Sequence, residues 1–220
     1  MDGNFQHALG EVLKSEGGKV DNPRDLGGRT NHGVTQKVYD NFRRLNGDEP
    51  RDVFEMGDGD RDGIYRRYWD AVGGDNLPTG LDYEAFDTAV NMGRRKGEPI
   101  GSLAKEFLDR IDRTKPVPEQ IEQYRGFRQK FYEGIKGPGG FQTFGKGWTN
   151  RNEEVAGRSS EWWANYDRPY PPPQAATVRT AAPTPSSHFH QASAAHAVRS
   201  ALALGPGTYA TTHRHRHSSS

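Results

Sequence analysis

The sequence predicts an α+β fold, mostly α, with a small β-hairpin after the first helix and a helical second lobe. Three observations predict it. Apolar residues recur at helical spacing in six stretches between Phe5 and Ile135. One early stretch, KVDNPRDLGGRTNHGVT (residues 19–35), interrupts that spacing with Gly, Asn, Asp and Pro. A compositional break after Tyr170 separates a folded body from a different kind of text.

The first helix is read from Phe5, Ala8, Leu9, Val12 and Leu13, which share one helical face. Asp2 or Asn4 is placed to cap its start, and Gly17-Gly18 stops it. The Gly-rich stretch that follows predicts two short extended pieces around a Gly27-Gly28 turn, a small hairpin. Helical spacing resumes at Val38, Tyr39, Phe42 and Leu45. It continues at Ile64, Tyr65, Tyr68 and Trp69, then at Tyr83, Phe86 and Val90. Two more helices are read from Leu103, Phe107, Leu108 and Ile111, and from Ile121, Tyr124, Phe127, Phe131 and Ile135. Residues 137–147 (GPGGFQTFGKG) read as a loop, followed by a short segment from Trp148 to about Tyr166. No internal repeat is present. The expected division is a catalytic part over 1–95, a helical lobe over 96–170 and a Pro/Ala/His-rich tail over 171–220.

Composition narrows the function classes. The chain has 220 residues, 32% of them hydrophobic, with 30 Lys+Arg against 29 Asp+Glu. The stretch from Pro171 to Ser220 holds no Asp or Glu, four Arg and six of the eight His. The body is therefore slightly acidic, with 26 basic and 29 acidic groups. That balance argues against a nucleic-acid partner. Too polar to offset the entropy of ordering, the tail is expected to be disordered. Its HQASAAHAVRSALAL stretch has transient helical character, and its HRHRH tract looks like a chelating or titrating segment. Cysteine is absent, which excludes disulfides and thiolate chemistry. No apolar run reaches the roughly 18 residues of a membrane span. The opening residues lack the basic and apolar regions of a signal peptide.

One constellation carries chemistry. Glu16 falls at the end of the first helix, where the macrodipole is negative and a carboxylate is disfavoured by about 0.3–1 kcal/mol. Asp25 follows nine positions later and Thr30 fourteen later, both in the predicted hairpin. A hairpin folding back beside a helix end brings a second carboxylate opposite the first. Glycoside hydrolysis uses that pairing: one acid protonates the leaving oxygen while a carboxylate activates water or stabilises the oxocarbenium ion. Thr30 is suited to hold a water between them. The same residues read equally well as a helix stop and a turn with solvated carboxylates.

The ordered string SEGGKVDNPRDLGGRTNHGVT resembles the signature of the glycoside hydrolase family 108 muramidases, with E-G-G, D-x-G-G and T-x-x-G-[IV]-T in sequence. It is also similar to the Glu/Asp/Thr arrangement of phage T4-type lysozymes. Downstream, IYRRYWDAVGGDNLPTGLDYEAFDTAVNMG resembles the family's Y-W, L-P-x-G and F-D-x-x-V-N-x-G text. FGKGWTNR resembles the G-W-x-N-R text of its peptidoglycan-binding segment. The resemblance implies a lysozyme-like fold, Glu16 as general acid and Asp25 and Thr30 as hairpin partners. It implies the β-1,4 bond between N-acetylmuramic acid and N-acetylglucosamine as substrate, and no metal or organic cofactor. Residues 92–116 depart from the family by lacking its L-Q pair and D-G-x-x-G turn, so this half is read as completing the helical lobe over the cleft.

The biological setting implied is a monomeric phage or prophage endolysin. It would accumulate in the host cytoplasm and reach the periplasm or wall through a holin lesion, holin being only an indirect partner. A lytic transglycosylase and a non-catalytic wall-binding or virion module are the competing readings. Three further substrate-binding candidates are His32, Asn91 and Trp148. His32, in T-N-H-G, serves either substrate contact or packing, and Asn91 either caps a helix or bonds a sugar. Trp148, Trp162 and Trp163 divide between sugar stacking and core, with core expected for two of the three. GDGDRDG (residues 57–63) mimics the start of a calcium loop, but Trp69 stands where the bidentate Glu belongs and acidic residues also favour a helix start.

Overall fold

A computed structural model describes residues 2–21 and 28–165. Asp25, the Gly27 side of the expected turn and everything from residue 166 onward, including the HRHRH tract, lie outside the described residues. Among them, no helix is long and apolar enough to cross a membrane.

The order is α1 (Asp2–Ser15), β1 (Thr30–Asn31), β2 (Val34–Thr35), α2 (Gln36–Leu45), α3 (Asp58–Val72), α4 (Leu81–Met92), α5 (Ser102–Asp109), α6 (Val117–Gly134) and α7 (Phe141–Ala164). Short 3-10 turns at Val53–Glu55 and Gly74–Asn76 complete it. This is the mostly helical α+β architecture with a hairpin after the first helix that the spacing predicts.

α1 buries Phe5, Ala8, Leu9 and Val12, the face the spacing identifies. Asn4 lies inside the helix rather than capping it. Its amide donates to Thr79 Oγ1 at 3.1 Å and to Asp82 at 2.9 Å, pinning α1 to the start of α4. The strand pair adds a turn to the expected one. β1 and β2 pair antiparallel, Thr30 with Thr35 and Asn31 with Val34, so the chain reverses at His32-Gly33. A second pairing joins Val20 to Thr30 through two backbone hydrogen bonds of 2.8 and 2.9 Å. The chain therefore also reverses between Val20 and Thr30, and the Gly27 part of the expected Gly27-Gly28 turn lies outside the described residues.

The calcium-like GDGDRDG text is helical. Gly57 is the N-cap, Asp58 and Asp60 occupy the first turn of α3, and Asp60 accepts from the Tyr39 hydroxyl at 2.7 Å. Acidic groups there meet the positive end of the helix dipole. The loop expected over 137–147 ends at Gly140, and α7 begins at Phe141. Gly145 stays helical because the Phe141 ring covers its backbone, where a Cβ would come within 2.8 Å of the ring.

Two apolar clusters flank α4. One gathers Phe5, Leu9, Val12, Tyr39, Trp69 and Phe86, while the other gathers Leu81, Leu103, Phe107, Tyr124, Tyr132 and Trp148. All residues of α4 are buried, including Asp82, Glu84, Asp87, Thr88 and Asn91. A helix enclosed on every side needs partners for such groups. Asp87 finds them in Arg128 of α6 and Arg151 of α7, each at 2.6 Å.

Candidate active site

Glu16 is the residue immediately after α1. Its backbone N–H donates to Leu13 O at 3.3 Å, continuing the last turn, and its side chain is half-buried. The carboxylate packs against the hairpin turn. Gly33 adopts φ +74°, and a Cβ there would lie 2.3 Å from Glu16 Oε2 and 2.8 Å from the Tyr65 hydroxyl. Carboxylate, phenol and turn therefore converge on one point. Only a residue without Cβ admits that approach.

The turn is held from below. The Tyr65 hydroxyl donates to the His32 carbonyl at 2.7 Å. Asn31, buried, donates to Val53 O at 3.0 Å, and Arg29 pairs with Asp52 at 2.8 Å while stacking over Phe54. Gln36 accepts from Val53 N–H at 2.8 Å. These contacts tie the hairpin to the Asp52–Glu55 turn, so the wall facing Glu16 is braced rather than a free loop.

Thr30, in β1, is half-buried, and its hydroxyl donates to Gly28 O at 3.1 Å. His32 is half-buried with φ +46°, the positive-φ residue other than glycine among the described residues. Glu16, Thr30 and His32 thus belong to the helix end and the hairpin, whereas Asp25 lies outside the described residues.

Asn91 and Trp148 sit elsewhere. Asn91 falls inside the last turn of α4 rather than capping it. It is buried, and its Oδ1 accepts from the Tyr132 hydroxyl at 2.9 Å. Trp148 is buried in the second cluster with its ring stacked on Tyr132 at 5.3 Å. Both are enclosed by protein, which leaves no face for a sugar and makes them packing residues. Trp162 is also buried, while Trp163 is half-buried.

Two features went unread in the sequence. Spacing identifies Tyr65 only as a core position of α3, yet its hydroxyl reaches the turn. Arg151 is the other. Its guanidinium is bound to Asp87 through Nη2 at 2.6 Å and Nε at 3.2 Å, and Glu16 is among the charges that raise its pKa. Burial opposes both charges. Nevertheless Arg151 and Arg128 hold the Asp87 carboxyl below the ordinary range. The signal was an Asp among Tyr83, Phe86 and Val90, a polar residue on an apolar face that requires a buried partner.

Residues 9–93 match the model of the family described as glycosyl hydrolase 108. The matched stretch runs from within α1 through α4 and contains Glu16, the hairpin and Tyr65. Among solved structures, Brucella abortus SagA is similar at 28% identity with a TM-score of 0.60, covering 74% of this chain and 97% of that one. No curated protein matches. The helix–hairpin pairing, the match to the glycosyl hydrolase 108 model and the fold shared with SagA all fall on the same residues.

Proposed function

We propose that the chain is a peptidoglycan hydrolase that cleaves the β-1,4 bond between N-acetylmuramic acid and N-acetylglucosamine. The observation that carries this reading is the Glu16 carboxylate, half-exposed at the end of α1 and seated against Gly33 of the hairpin. A carboxylic acid held against a braced wall and only half-buried is placed to protonate a glycosidic oxygen. Glu16 takes the role of general acid. Asp25 supplies the second carboxylate, and Thr30 positions water between them. His32, on the same turn, contacts the sugar chain. No metal or organic cofactor is required for this chemistry, because two carboxylates and water suffice.

The physiological reading is a monomeric endolysin of phage or prophage origin, made in the host cytoplasm and released to the wall through a holin lesion. Residues 96–165 form the helical lobe over the cleft, joined to the catalytic part through the Asp87–Arg151 pair. Mass spectrometry of muropeptides released from purified peptidoglycan tests the reaction. Hydrolysis leaves reducing muramic acid ends. Products with 1,6-anhydro ends would assign the chain to the lytic transglycosylases, and the absence of any release would leave a binding module.

A further inference from the structure

A concavity of about 450 Å³ opens between α2 and α3. Its size falls within the roughly 300–1,000 Å³ typical of ligand sites. Lys37, Arg67 and Arg94 line it, and no carboxylate does. Elsewhere the chain pairs arginines with acids, as in Arg61 with Asp58 and Arg66 with Asp70. Among the described residues, none of the three lining cations is in an ion pair. The floor is apolar: Phe42 lies under Arg67 at 4.9 Å, and Val38 is a rare exposed large hydrophobic residue at 37%.

The pocket adjoins the candidate active site. Tyr68 lines it, and the Tyr68 ring stands 6.3 Å from that of Tyr65, whose hydroxyl meets Gly33 and Glu16. α2, which supplies Lys37, Val38 and Phe42, follows directly from β2. The pocket and the hairpin are thus linked through one shared helix start and one aromatic contact.

We propose that this pocket binds the acidic stem peptide carried on the lactyl group of muramic acid, an inference that rests on the hydrolase reading above. Lys37, Arg67 and Arg94 take the peptide carboxylates, and Val38 and Phe42 take its alanine methyls. Charge-assisted hydrogen bonds to a half-buried guanidinium such as Arg67 are stronger than those at an open surface. Wild-type turnover should therefore depend on the peptide as well as on the glycan.

The test compares kcat/KM on teichoate-free peptidoglycan bearing its peptides with kcat/KM on glycan strands stripped by an amidase. Wild type is measured beside the triple variant K37Q/R67Q/R94Q and a charge-matched control, K105Q/K130Q/K146Q. The triple variant should lose about tenfold or more on peptide-bearing strands and nothing on stripped ones. The control should match wild type on both, with all three proteins melting alike. Equal loss on both substrates or equal loss in the control would overturn the proposal. Failure of wild type to cut either substrate would count against the hydrolase reading instead. In that case, binding of free L-Ala-D-Glu-diaminopimelate-D-Ala, present in wild type and absent in the triple variant, still decides the pocket.

Discussion

The carboxylate of Glu16 rests on the backbone of Gly33, so closely that a methyl group on the glycine would fall 2.3 Å from Oε2. Two residues 17 positions apart, one ending a helix and one turning a hairpin, thereby fix each other. The Tyr65 hydroxyl closes the contact from the side of α3.

Gly33→Ala should cost about 1–2 kcal/mol through its positive φ alone. It should also push the Glu16 side chain away, and displacement of a catalytic group by about 1 Å lowers turnover on the order of 100-fold. Gly47→Ala supplies the control, because Gly47 has φ +80° with nothing within 4 Å of its Cβ position. Denaturant unfolding should show similar losses for both variants, while wall-clearing assays show a collapse only for Gly33→Ala.

Asp87→Asn should destabilise the chain by about 3–5 kcal/mol, because it leaves the buried guanidinium groups of Arg128 and Arg151 without their shared carboxylate. A double-mutant cycle with Arg151→Met should be strongly non-additive, since the second change removes a charge the first has orphaned. Chemical denaturation of the four proteins measures this coupling directly.

Glu84 makes stability depend on pH. Burial pushes its carboxyl up to about 8, with Arg128 Nη1 at 3.8 Å opposing the shift and Asp87 and Glu122 reinforcing it. The native state therefore binds a proton that the unfolded chain has already released above its ordinary carboxylate pKa. This contribution is fully present below about pH 4 and is lost as pH rises towards 8. Asp82, raised to about 6 by burial despite hydrogen bonds from Asn4 and two backbone N–H groups, adds a smaller loss of the same sign. Asp87 acts oppositely, its support disappearing only as pH falls below the usual carboxylate range. Glu84→Gln should match wild type near pH 4 and exceed it by on the order of 3 kcal/mol at pH 7. Unfolding free energies measured from pH 4 to 8 check the divergence.

His32 occupies the left-handed region at φ +46°, which Asn tolerates well. His32→Asn should therefore leave the melting temperature unchanged or slightly raised. If the imidazole contacts the sugar chain, as proposed, KM on purified peptidoglycan should rise several-fold with the fold intact. An unchanged KM would assign the ring to packing alone.

Local patterns in the sequence were readable, whereas pairings across long separations were not. Phe5, Ala8, Leu9 and Val12 repeat at helical spacing, and Gly17-Gly18 marks where α1 ends, so Glu16 was found by position. The hairpin after α1 is legible in the Gly-rich text, whereas the second reversal at His32-Gly33 is not. A Gly pair is the stronger local turn signal, and His32-Gly33 hides a positive φ under a residue that seldom adopts one. Asp87 on the apolar face of α4 signals a buried partner but not which one, because Arg128 and Arg151 arrive 41 and 64 residues later. Asn91 and Trp148 were placed at the substrate for the same reason. Their true partner, Tyr132, comes from α6, and no spacing rule links it to either. The Tyr65 hydroxyl meets the hairpin turn only through the packing of α3.

The most direct measurement is wall clearing by Glu16→Gln beside wild type, with folding and pelleting on purified peptidoglycan recorded for both. The variant should fold, bind the wall as wild type does and release no muropeptides. A folded Glu16→Gln protein that still clears the wall would contradict the role of Glu16 as general acid, because the group placed to donate the proton would then be dispensable.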